Sequence, residues 1–213
     1  MKINRFEHVT GTFIEEIAGQ RAYGYSRDEM MELYEAYDAI KTGPVPGNTL
    51  TFYERAIGRV YMPFSKEKNI VYSSVIYHHV YYYFLQCDFN QQMVYLYQYE
   101  PGQQPQLMTV LSMHEIDMNN LSLMGENVHI TSQGRTFQCY YPRLFSLELE
   151  NAESVIHIED DKVYISQWIE EGLEDIDDYH YYEKLIIKDF MGNTLSEEVG
   201  NLFQDDQGEW WLS

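Results

Sequence analysis

"VIYHHVYYYFLQCDFNQQMVYLYQYEP", residues 75 to 101, decides the fold, because its seven tyrosines fall in two runs around the polar break "DFNQQ". In "VYYYFLQ" a strand places Tyr81, Tyr83 and Leu85 on one face and Tyr82 and Phe84 on the other, so both faces are apolar. A sheet wetted on one side would alternate with polar residues. Such a strand needs sheets stacked on both sides, or a sandwich whose outer face is covered by a helix. The rings are therefore expected to build the sheet interior and its margins, with a minority left for an exposed contact surface.

Working outward, the period is two from about residue 48 onward. Runs such as "TLTFYE", "NIVYSSVIY", "QLMTVLS", "NVHITS", "TFQCYY", "SVIHIE", "KVYISQWI" and "YEKLIIKDF" are of strand length and rich in Val, Ile, Tyr, Phe and Thr. The breaks between them carry Gly, Asn, Asp or Pro, at the spacing of antiparallel hairpins. In "HIEDDK", Asp160 and Asp161 read as a turn. Upstream the pattern differs. "SRDEMMELYEAYDAIKTGPVPG" predicts a helix over 27–41: Ser26 as N-cap, Glu29 completing a capping box, Met30, Leu33, Tyr34 and Tyr37 as the apolar stripe, and Gly43, Pro44 and Pro46 as the stop.

An internal echo organises the β region. Val80, Val128 and Val163 each open a strand after a tight break, each is preceded by strand residues, and each is followed by a partner strand: "MVYLYQYEP", "TFQCYYPR" and "YEKLIIKDF". These repeated four-stranded antiparallel meanders resemble the blades of a β-propeller in general, without the signature of a named propeller family. The expected architecture is mainly β and propeller-like, with a β-sandwich as the alternative. Residues 1–47 would be a helical segment packed on the main domain, and residues 48–213 an all-β repeat domain.

Charge excludes two classes of partner. Lys and Arg number 14 against 34 Asp and Glu, a formal net charge of −20, and no basic run occurs. Nucleic acid and an anionic membrane leaflet both require a positive surface, so neither is expected as a partner. No apolar run approaches membrane-spanning length. The start, "MKINRFEHVTGTFIEEIAG", lacks the apolar core of a signal peptide, and the two cysteines, Cys87 and Cys139, cannot make a disulfide framework. A reduced, cytoplasmic setting is expected.

The chemistry-bearing residues are scattered. "EEGLEDIDD", residues 170 to 178, puts six carboxylates into nine positions, but the ordered Ca²⁺ loop with its Gly and closing Glu is absent, and a solvated loop is the plainer reading. His78 and His79 are adjacent and point to opposite faces of a strand. His129 and His157 each lie in a short apolar strand, one per repeat, where a histidine is ordinarily satisfied by a neighbour or by solvent. No metal or cofactor is expected, and no nucleophile elbow, zinc helix or phosphate loop occurs. A glycosidase needs only two carboxylates about 5–10 Å apart, with aromatic rings as sugar platforms. The candidate binding residues are thus Trp168, Trp210, Trp211, Glu170, Glu171 and Asp175. The leading expectation is a binding or scaffold module, leaning away from catalysis, that contacts another protein through aromatic surface and loops. The alternative is a carbohydrate-binding or glycoside-hydrolysing domain.

Overall fold

A computed structural model describes residues 3–29, 31–172, 179–205 and 207–213 and shows a mainly β chain of antiparallel sheets, with one α-helix among those residues. It divides into two compact units, Met1–Leu123 and Met124–Ser213. None of the described helices is long and apolar enough to cross a membrane.

The first unit contains β1 (Tyr23–Arg27), α1 (Leu33–Ala39), β2 (Leu50–Glu54), β3 (Val60–Tyr61), β4 (Ile70–Tyr72), β5 (Ile76–His78), β6 (Tyr81–Asp88), β7 (Met93–Tyr99) and β8 (Gln106–Ser112). β1, β2 and β3 form one sheet; β4, β6, β7 and β8 form a second in that order, with β5 also paired to β6. The tyrosine stretch explains why these two sheets pack. Phe52 of β2 meets Tyr82, Phe84 and Tyr99 at ring-centroid distances of 5.4, 6.4 and 5.1 Å. Contacts of this kind contribute about 0.5–1.5 kcal/mol each beyond the area they bury. The other face of β6 is buried too, through Leu85 and Cys87, while Tyr81 at the strand's start is exposed. Tyr77 and Tyr97 pack against the same core.

The remaining face of the β1–β3 sheet carries polar groups that satisfy one another. The Tyr53 hydroxyl, fully buried, donates to the Thr10 carbonyl at 2.9 Å, accepts the Thr10 N–H at 2.8 Å and lies 2.8 Å from Ser26 Oγ. Phe6 packs its ring edge-on to Tyr53. Burial of these hydroxyls is tolerable because each has partners.

Ser26 therefore corrects the helix expected over 27–41. It lies inside β1, whose register with β2 runs from Tyr23↔Glu54 to Arg27↔Leu50, and those ladder bonds outweigh one capping bond. The helix starts later: the Glu35 carboxylate accepts the Glu32 N–H at 2.9 Å, and Leu33 and Ala36 are buried as α1 lies against β4. The division of the chain also falls elsewhere than residue 47, because β1 and β2 lie on either side of that point and share one ladder and one core.

β9 (Ser122–Met124) lies at the division. It is followed by β10 (His129–Gln133), β11 (Thr136–Tyr141), β12 (Phe145–Glu148), β13 (Glu153–Glu159), β14 (Lys162–Glu171), β15 (His180–Asp189), β16 (Thr194–Val199), β17 (Leu202–Gln204) and β18 (Trp210–Leu212). β9–β12 and β13–β16 are four-stranded meanders, and β17 and β18 form a two-stranded sheet. Phe137, Cys139 and Leu147 of one meander share a core with Val155, Ile158, Val163, Ile165 and Ile186 of the next. Phe145 stacks on Phe190 at 4.1 Å and 12°.

Among the described residues, neither unit closes into a barrel or a ring of blades. In each, two sheets consecutive in sequence pack face to face, which both the sandwich and the blade readings require. Sheets of three, five, four, four and two strands break a strict repeat of four.

Candidate functional site

β14 and β15 are the longest strands described, and their neighbours stop short of their ends. β13 reaches only as far as Gln167 opposite Glu153, and β16 as far as Lys184 opposite Val199. One backbone bond further each side, Trp168 N–H to Ala152 and Gly200 N–H to Glu183, ends the four-stranded region. Beyond it, Ile169, Glu170 and Glu171 pair with Tyr182, Tyr181 and His180 as a two-stranded arm.

The alternation of a strand assigns each side chain of this arm to a face. Trp168 stands opposite Glu183, and Glu170 opposite Tyr181, so these four share one face. The Trp168 and Tyr181 rings stack at 4.6 Å and 19°, yet remain 42% and 59% exposed. Tyr179 follows, 6.4 Å from Tyr181, and its hydroxyl donates to Glu170 Oε1 at 2.9 Å. That hydrogen bond raises the Tyr179 pKa, since ionising the phenol would break it beside a carboxylate. Ser166 Oγ donates to Glu183 at 2.8 Å. On the opposite face, Glu171 lies 2.9 Å from His180 Nε2 and accepts the Tyr182 hydroxyl at 3.1 Å, which raises the Tyr182 pKa in the same way.

Of the six expected binding residues, the aromatic face of this arm carries Trp168 and Glu170. Glu171 is adjacent in sequence and therefore on the reverse face, so Glu170 and Glu171 do not converge on one bond as a glycosidase pair must. Asp175 and the remainder of the acidic stretch from 173 to 178 lie outside the described residues. Trp210 and Trp211 sit on β18, also on opposite faces. Trp210 packs on His157 at 4.5 Å, whereas Trp211 is half exposed and donates Nε1–H to Asp205 at 3.0 Å. No ring contact links either of them to Trp168 among the described residues. Tyr181, Tyr179 and Glu183 were missed, although "YHYYEK" held the signal: a Tyr-rich run placed one hairpin away from Trp168.

A second cluster is buried. His129 is 3% exposed, and its Nδ1 has no hydrogen-bond partner among the described residues; burial lowers its pKa against the opposing backbone hydrogen bond of Met124, and the neighbouring His157 lowers it further. His157 is lowered by burial as well, against the opposing pull of Glu159 and Glu126. Gly125 makes room for the His129 imidazole. At φ +79° it occupies the left-handed region, and a Cβ there would stand 3.1 Å from His129 Nδ1 and 2.4 Å from the Ile158 carbonyl. The two histidines of consecutive meanders are near enough for His157 to lower the His129 pKa, and both are buried. No group of three metal-ligating side chains occurs among the described residues.

A third feature is a cavity of 390 Å³ in the first unit, lined in part by Glu32, Tyr34, Ser73, Ser74, Asn120 and Ser122. It holds one carboxylate and one ring, so it lacks the paired acids of the carbohydrate-active alternative. No family model, curated protein or solved structure matches the chain.

Proposed function

We propose that the chain is a non-catalytic binding or scaffold module that contacts another protein through the aromatic face of the β14–β15 arm. The observation that carries this reading is the exposed, stacked Trp168–Tyr181 pair on a hairpin projecting past its sheet. Two large rings held in one geometry by each other present rigid apolar area at little entropic cost, which is what protein interfaces select. Burying a tryptophan and a tyrosine half in water would be favourable by about 25 cal/mol per Å² of apolar surface removed. The face-to-face packing of consecutive meanders gives the arm a packed scaffold, whether that scaffold is blade-like or a sandwich.

Site-specific photocrosslinking tests the proposal. A photoreactive phenylalanine analogue at Tyr181, in cells of the source organism, is expected to trap a defined protein that the same analogue at Leu195 of β16 does not trap. Equal adducts at the two positions, or none at Tyr181, would overturn it.

A further inference from the structure

The arm's aromatic face is exposed and without a covering element among the described residues, and its charges name the chemistry of what covers it. Trp168 and Glu183 stand directly opposite each other, as do Tyr181 and Glu170, so rings and carboxylates alternate along both strands. The two carboxylates receive hydroxyl donors, from Tyr179 and Ser166. Ser166, Trp168 and Glu170 on β14, with Tyr181, Glu183 and Leu185 on β15, include no Lys, Arg or His, and the next side chain across from Leu185 is Glu198. The reverse face is built differently. There Glu171 meets His180 and Glu197 meets Lys184, so each acid has a base. On one face each of these acids therefore has a basic side chain beside it, and on the other the carboxylates stand beside exposed π-faces without one.

We infer that this face binds the guanidinium side chains of an arginine-bearing, extended peptide segment; the inference rests on the protein-binding reading above and names its partner's chemistry. A guanidinium is planar and weakly hydrated, stacks on Trp and Tyr faces, and offers donors in a fork that fits a carboxylate. Rings and acids that alternate at cross-strand spacing satisfy both demands of one side chain. A net charge of −20 adds long-range attraction for the same partner and repels acidic competitors.

The test is a titration of the full chain with three labelled peptides of one length, in which Gly alternates with Arg, with Lys or with citrulline, the uncharged isostere of Arg. The Arg peptide is expected to bind most tightly and the citrulline peptide at least about tenfold more weakly, the scale of losing charge-assisted hydrogen bonds. Glu170→Gln/Glu183→Gln and Glu171→Gln/Glu197→Gln change the net charge equally on opposite faces. The first pair is expected to weaken the Arg peptide by at least about tenfold and the second by less than about twofold. Trp168→Ala should weaken it without altering the melting temperature beyond that of the glutamine variants. Equal weakening by both pairs would mean attraction by net charge alone and would sink the inference. Equal binding of the citrulline peptide, or no binding of any peptide while Tyr181 still crosslinks a protein, would remove the cationic partner and leave the protein-binding reading standing. Loss of the crosslink as well would remove both.

Discussion

The imidazole of His157 lies 4.5 Å from the indole of Trp210, ring centre to ring centre, so β18 of the last sheet rests on a buried histidine. His157 is 7% exposed and its pKa is lowered by burial; His129 is lowered for the same reason. Among the described residues, Glu126, Glu159 and the Tyr164 hydroxyl, which donates to Glu159, are ionisable groups facing this cluster.

Acid should therefore loosen the second unit. The unfolded histidines take up protons at about 6.5 while the folded ones resist until lower pH, so below that value the unfolded state binds more protons. Stability from these groups is complete above pH 6.5 and is lost as pH falls from there through the depressed folded values. Denaturant melts from pH 7.5 to 5 would show this as a falling midpoint, with a shallower fall in His129→Gln and His157→Gln. An unchanged slope in both variants would refute the assignment.

The β5–β6 turn stores strain that a substitution can release. His78 pairs with Tyr81, leaving His79 and Val80 as a two-residue loop with φ of +44° and +68°. That geometry suits Asn-Gly, and a β-branched residue there is strained by roughly 1–2 kcal/mol. Val80 is 68% exposed, so Val80→Gly costs little packing and is expected to raise stability by up to about 1 kcal/mol. A lowered melting temperature would show that the valine makes a contact that outweighs its strain.

Lys188 and Glu153 form an enclosed ion pair at 3.2 Å, with side chains 13% and 2% exposed. Lys188→Met leaves a buried carboxylate without its cation and should destabilise the chain by roughly 3 kcal/mol. Adding Glu153→Leu to that variant is expected to recover most of the loss, because the uncompensated charge is gone. A double variant no better than Lys188→Met would place the cost in packing instead.

Both thiols should be inert in the folded chain. Cys87 is fully buried with its pKa raised by desolvation, and burial pushes the Cys139 thiol up to about 11. A disulfide-exchange reagent at pH 8 is expected to modify neither until denaturant is added. Rapid labelling of either would mean that its sheet opens locally.

Much of the architecture was legible as period-two patterning, since a strand exposes alternate residues to different solvents and so writes its burial into the sequence. The doubly apolar "VYYYFLQ" and the Asp160-Asp161 turn follow from local chemistry alone. Ser26 did not, because a serine before an acidic, amphipathic run reads as a cap, and only the distant partner Leu50–Glu54 converts its segment to a strand. The His79-Val80 turn carries no turn residues either; the pairing of β5 with β6 imposes it.

The candidate site divides along the same line. The sequence by itself determined that the chain is acidic, aromatic and mainly β, because charge and apolar periodicity are sums over local identity. Tertiary structure decided that Trp168 meets Tyr181 rather than Trp210, and that Glu170 and Glu171 face apart. Those outcomes depend on strand register and on where neighbouring strands stop, and register is fixed by contacts between residues far apart in the chain.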